Sequence, residues 1–118
     1  MPLAEEILTV SSETTDSAVI LTAIGEIDIL TVDRLRSAVS EALRAPVGHP
    51  VVVDLTRVSY IGSCGLNALV EAAAEAKRQE EPLRIVVGHQ RHVVRPLQIT
   101  GLDQVFALYE TLRAALAV

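Results

Sequence analysis

Val51-Val52-Val53-Asp54-Leu55-Thr56-Arg57-Val58-Ser59-Tyr60-Ile61-Gly62-Ser63-Cys64-Gly65-Leu66-Asn67-Ala68-Leu69 carries most of what this chain says about its fold. Val51, Val52, Val53 and Leu55 crowd β-branched and apolar side chains into a short run, as a strand buried on both faces does. From Ser63 the period changes. Leu66, Leu69, Val70 and Ala73 recur at helical spacing, while Asn67, Glu71, Glu75 and Arg78 take the opposite face. Residues 56–62 then read as the connector between strand and helix. Ser63 falls between two glycines where that connector ends, at or near the N-cap, so its hydroxyl is expected to cap the helix. The first N–H groups of a helix lack partners and the dipole favours negative charge there, so a phosphate on Ser63 would be tolerated.

Towards the N-terminus, Ile7–Val10 and Ala18–Ile24 read as two strands joined by the polar turn Ser11–Ser17, a hairpin. Gly25 is expected to end the second strand and Glu26-Ile27-Asp28 to form a tight connector. Thr31 should then cap a helix reaching about Leu43, with Val32, Leu35, Val39, Ala42 and Leu43 inward and Asp33, Arg34, Arg36 and Glu41 in water. Residues 45–50, with two prolines and a glycine, read as a loop.

Beyond the central helix, Lys77–Glu81 reads as a solvated charged end closed by Pro82, against the alternative of a charged docking face. Leu83–Val87 reads as a buried strand stopped by Gly88. Residues 91–100 are helical in pattern with Val94 and Leu97 inward, and Pro96 predicts a helix that begins near it or kinks there. Gly101 fits a C-cap. A short strand over Val105–Leu108 and a closing helix over Thr111–Ala117, with Leu112, Ala115 and Leu116 inward, complete the chain. Strands alternating with helices predict one α/β domain over residues 1–118: a mixed, mostly parallel β-sheet with packed helices and an N-terminal β-hairpin.

A net charge of −5 and only three aromatic residues argue against nucleic acid and against electrostatic attachment to a membrane. The acidic start, Met1–Glu6, does not resemble a secretory signal, and no apolar run is long enough to span a bilayer. The expected location is cytoplasmic. Cys64 is the single cysteine, so no intramolecular disulfide can form.

Little in the chain points to catalysis. Ile61-Gly62-Ser63-Cys64-Gly65 does not match the G-x-S-x-G of a nucleophile elbow, and no spacing ties His49, His89 or His92 to Ser63. The glycine-rich turn lacks the G-K-[ST] of a phosphate loop, and His89 and His92 with Cys64 make no zinc pattern. No enzyme activity, cofactor or metal is therefore expected. Cys64 reads as a small packing residue, against the alternative of a thiol made reactive by the helix start. Asp28 and Asp54 each follow a strand-like segment and approach the Ser63 turn if those strands are neighbours; as turn acids they would accept backbone N–H bonds. Gly62 and Gly65 leave the surroundings of Ser63 uncluttered.

Asp54-Leu55-Thr56, followed by Gly62-Ser63-Cys64-Gly65-Leu66, resembles the signature of STAS domains, the fold of bacterial anti-sigma factor antagonists: D-L-S/T, a spacer, then D-S-S/T-G-L. Gly25-Glu26-Ile27-Asp28 with Thr31 is similar to that family's G-E-L-D…T, and Thr100-Gly101-Leu102 with Phe106 to its S/T-G-L…F. The resemblance implies an antagonist, in bacterial transcription and stress regulation, that binds a serine-kinase-type anti-sigma factor and releases its sigma factor. Phosphorylation of Ser63 would end that binding, and a serine phosphatase would be a further partner. It also implies a partner-binding role for Asp28, Thr56, Gly62, Ser63, Cys64, Gly65 and Leu66. Gly62 stands where the pattern has an acid, and Cys64 where it has a second hydroxyl. The alternative on the same fold is a non-phosphorylated scaffold, or a regulatory subunit of a transport or signalling assembly.

Overall fold

Pairing between strands, rather than local sequence, sets where the elements end. The computed structural model describes residues 7–44 and 49–117. Strands β1 (Leu8–Thr14) and β2 (Val19–Ile27) form the predicted hairpin, each longer than expected. Their antiparallel ladder runs from Leu8 opposite Gly25 to Thr14 opposite Val19. Thr15 closes the turn: its Oγ1 accepts the N–H groups of Ser17 and Ala18 and donates to the Ala18 carbonyl. β2 then pairs in parallel with β3 (Val51–Ile61), β3 with β4 (Arg84–Val86), and β4 with β5 (Ala107–Tyr109). The sheet order is β1-β2-β3-β4-β5. The helices are α1 (Val32–Ala42), α2 (Ser63–Arg78), α3 (Arg91–Thr100) and α4 (Leu112–Leu116), with a 3-10 turn at Leu102–Gln104. The fold is the predicted α/β domain, mostly parallel with one antiparallel hairpin. Of the loop expected over 45–50, residues 45–48 lie outside the described residues, as do the first six.

Two boundaries differ from the sequence reading for one reason. Residues 56–61 are strand, not connector, because β2 pairs along them: Ile24 with Arg57, Gly25 with Val58, Glu26 with Tyr60 and Ile27 with Ile61. The register slips between Thr22 and Ile24 and again between Gly25 and Glu26, each time adding a residue to β3. Such bulges break the two-residue alternation that would mark a strand. Gly25 does not end β2 either. It sits at φ +120°, and a Cβ there would stand 2.0 Å from the Ile7 carbonyl oxygen. Only glycine lets that backbone pass so close.

The core forms on both faces of the sheet. Leu21, Val53, Leu55 and Ile85 join Leu35 and Val39 of α1, Leu66, Leu69 and Ala72 of α2, and Val93 and Leu97 of α3 in one cluster. Val52, Val86 and Ala115 of α4 form a smaller one. Consecutive strand residues point to opposite faces, which is why Val52 and Val53 belong to different clusters. The predicted α1 stripe is buried except Leu43, which is half-buried just past the helix. In α2 the small residues Gly65, Ala68, Ala72 and Ala76 take the buried side with Leu66 and Leu69, and Val70 and Ala73 move to its margin. Helix α3 starts at Arg91, well before Pro96, and Val93 rather than Val94 is fully buried. Gly101 closes it at φ +76°, as expected. Leu116 is exposed rather than inward, leaving Ala115 as the buried contact of α4. Among the described residues no helix is long and apolar enough to cross a membrane.

Candidate functional site

The C-terminal ends of β2 and β3 lie side by side and carry the site. Gly62 N–H donates to the Ile27 carbonyl at 2.9 Å, fastening the start of α2 to the end of β2. Gly62, in extended conformation, is the N-cap, and Ser63 is the first helical residue. This corrects the expectation that the Ser63 hydroxyl caps the helix: no side chain does. Ser63 instead stands exposed at the mouth of the helix. The Gly62 carbonyl receives the N–H groups of Gly65 and Leu66, at 3.0 and 3.1 Å. The amides of Ser63 and Cys64 come before them, at the positive end of the dipole. No acid occupies the first turn, while Lys77 and Arg78 occupy the last. The mouth of α2 is thus an uncapped, locally positive helix end bearing a free hydroxyl.

Gly65 explains how that end is seated. A Cβ on Gly65 would fall 2.6 Å from Ile27 Cγ2 and 2.8 Å from Ile61 Cγ1, so only hydrogen fits between helix and strands. Leu66 is buried beneath it and Cys64 is half-buried against the same core. Gly65 and Leu66 therefore act on the site by packing, and the thiol of Cys64 belongs to the helix's inner margin.

Asp28 shapes the loop beside this turn. Its Oδ1 accepts N–H from Leu30 at 2.9 Å and from Thr31 at 3.1 Å. Thr31 occupies the N-cap position of α1, but its hydroxyl is turned back into the loop and does not cap. Fully buried, it donates to the Glu26 carbonyl at 2.8 Å and accepts the Asp28 N–H at 2.9 Å. Asp28 is thus a turn acid next to the Ser63 helix start. Asp54 and Thr56 lie farther from that helix start. At about 3.3 Å per strand residue Thr56 lies at most roughly 17 Å before the end of β3, and Asp54 at most roughly 23 Å, the bulges shortening both. There Asp54 Oδ1 accepts both the N–H and the hydroxyl of Thr56, and Gln90 Nε2 donates to the Thr56 carbonyl. Asp54 thus accepts a backbone N–H as the turn-acid reading expects, and only its approach to Ser63 is corrected; both residues sit at the first bulge of β3.

Two of the histidines are engaged elsewhere, and the buried His49 Nδ1 has no hydrogen-bond partner among the described residues. His92 Nε2 is 2.5 Å from the Val58 carbonyl, and His89 is 3.8 Å from Glu110. Among the described residues no group of three His, Cys, Asp or Glu could hold a metal. Three residues at the site escaped the sequence reading: Ile29 (78% exposed), Leu30 (69%) and Tyr60 (51%). The signal for the first two was a pair of large apolar side chains in a connector with no element to bury them.

A model of the STAS domain family matches residues 9–115. The anti-sigma-F factor antagonist RsfB of Mycobacterium tuberculosis is 34% identical over 113 residues, covering 96% of this chain and 90% of that protein. An anti-sigma-B factor antagonist of Listeria monocytogenes is 32% identical over 84 residues, 71% of this chain and 72% of its own. The crystal structure of an anti-sigma factor antagonist from Mycobacterium paratuberculosis superimposes with a TM-score of 0.82 at 31% identity, over 98% of this chain and 97% of that one.

Proposed function

The chain belongs to the STAS-domain family of anti-sigma factor antagonists, and from that premise we propose that it binds a serine-kinase-type anti-sigma factor and releases the sigma factor held there. Phosphorylation of Ser63 ends the binding. In that step Ser63 Oγ bonds to the γ-phosphorus of ATP, the bond from that phosphorus to the bridging oxygen breaks, ADP leaves, and the hydroxyl proton passes to the kinase. A serine phosphatase restores the hydroxyl by hydrolysis.

The observation that carries this reading is the exposed Ser63 at the uncapped mouth of a 16-residue helix. Phosphorylation adds about −1.5 to −2 charges. Interaction with the helix end offsets their local cost by about 0.3–1 kcal/mol, so the fold tolerates the modification. The partner interface does not. A charge desolvated against a closely fitted protein surface without a matching cation costs several kcal/mol. The domain acts by binding, and its own chemistry is limited to accepting the phosphoryl group.

Incubation with purified anti-sigma kinases and ATP tests this. The intact mass should rise by one phosphoryl group, and Ser63→Ala should abolish the rise while keeping the partner bound. Gly62, standing where the family pattern has an acid, favours a second reading as an unphosphorylated scaffold or regulatory subunit. That reading predicts no mass increase with any kinase.

A further inference from the structure

Apolar side chains that stay in water are usually scattered; here three lie on segments that meet at the sheet end carrying Ser63. Ile29 and Leu30 follow Ile27, whose carbonyl binds the Gly62 N–H. Tyr60 pairs in register with Glu26, and its hydroxyl lies 3.1 Å from where a Cβ on Gly62 would stand. Ser63 comes next. Ile29, Leu30 and Tyr60 are each at least half exposed, although Ile27 and Ile61 in the same two segments are buried.

The loop that presents two of them is rigidly built. Between Glu26 and Val32 the Asp28 carboxylate, the Thr31 hydroxyl and the Asp28 carbonyl engage the N–H groups of Asp28, Leu30, Thr31 and Val32 at 2.9–3.2 Å. Holding two large apolar side chains in water while satisfying the backbone beneath them gives no stability to the isolated domain. It does pre-organise a contact. Tyrosine is enriched among the residues that dominate binding energy in protein interfaces, and apolar side chains on a fixed frame lose little freedom when a partner covers them.

We infer that Ile29, Leu30 and Tyr60 form the apolar clamp by which this chain recognises its anti-sigma factor, and that Asp28 is the positioning residue that holds the clamp open. The inference rests on the proposed function. The occupant is the kinase-type anti-sigma factor, through an apolar recess bordering its phosphoryl-transfer site, because whatever meets the clamp must also meet Ser63. Gly62 has a part in this. An acid at that position would push against the Tyr60 ring, whereas glycine lets the ring lie over the turn. Asp28 contributes acceptor geometry: asparagine keeps the carbonyl Oδ1 that receives the Leu30 and Thr31 N–H groups, and alanine does not.

The test measures affinity for each purified serine-kinase-type anti-sigma factor of the source organism by calorimetry, with unmodified protein. The double variant Ile29→Ala/Leu30→Ala, both sites at the surface, should keep the parent melting temperature and bind at least about thirtyfold more weakly. Asp28→Ala should weaken binding by about tenfold, and Asp28→Asn should restore it. Parent binding with the double variant within threefold of it overturns the clamp and leaves the proposed function standing. Failure of Asp28→Asn to recover binding overturns the positioning role. If the parent binds none of the kinases, both the proposed function and the clamp fall.

Discussion

Replacing Gly65 by alanine sets two effects of opposite sign against each other. Inside a helix, alanine is favoured over glycine by about 1 kcal/mol, less in the first turn, so an unobstructed Gly65→Ala would stabilise the protein. Here the new methyl would stand 2.6 Å from Ile27 Cγ2, 2.8 Å from Ile61 Cγ1 and 3.3 Å from Ile61 Cδ1. The first two separations are shorter than real Cβ contacts, and both neighbours are buried with little room to withdraw. Overpacking of this kind costs about 1–3 kcal/mol. The clash therefore wins, with a net loss of about 1 kcal/mol and a fall in melting temperature of about 4 °C for a domain this size. Urea unfolding followed by far-ultraviolet circular dichroism reads it as a lower midpoint at unchanged slope. A Gly65→Ala protein more stable than the parent would refute the reasoning, because α2 would then not be seated on Ile27 and Ile61 as described.

Gly25→Ala should be far more severe, about 3 kcal/mol or more by thermal unfolding, since a backbone oxygen lies 2.0 Å from the new Cβ and φ is +120°. Gly62→Asp should raise stability by a few tenths of a kcal/mol, measured the same way, because it supplies the missing side-chain cap to α2, while the half-exposed Tyr60 side chain, 3.1 Å from the new Cβ, has room to swing aside. Glu75 is held below its ordinary carboxylate value of 4.5, first by the hydrogen bond from Arg78, then by its charge, with Gln79 adding to both. Its contribution to stability is thus present above that ordinary value and lost as pH falls through the lowered one. Arg78→Ala should move the Glu75 carboxyl back up in an NMR pH titration; an unmoved titration would remove Arg78 as the cause.

The fold was legible wherever a segment's own pattern decided its state. The valine run from Val51, the stripe from Val32 to Ala42 and the Gly101 cap all needed only local rules. It was illegible where a distant segment decided. Nothing in Thr56–Ile61 announces a strand, because two bulges scramble its alternation and the pairing that makes it one comes from β2, some thirty residues earlier. Gly25 looked like a terminator because the close passage of Ile7 is invisible in sequence. At the site, Ser63 was found by its place at a change of period, but its cap role went to Gly62 because the helix begins one residue sooner than the hydroxyl can use. Neighbouring strands alone do not bring Asp54 to Ser63: β3 runs on to Ile61, so the two lie at different heights of the sheet. Ile29, Leu30 and Tyr60 were passed over because large apolar residues are assigned to the core by default, and only the structure reveals which ones the core leaves out.

The decisive comparison is between unmodified protein and protein fully phosphorylated at Ser63, each titrated into the same anti-sigma kinase. The account predicts a loss of affinity of about a hundredfold or more, corresponding to several kcal/mol at the interface, with thermal stability shifted by no more than about 1 kcal/mol. Equal affinities for the two forms would contradict it.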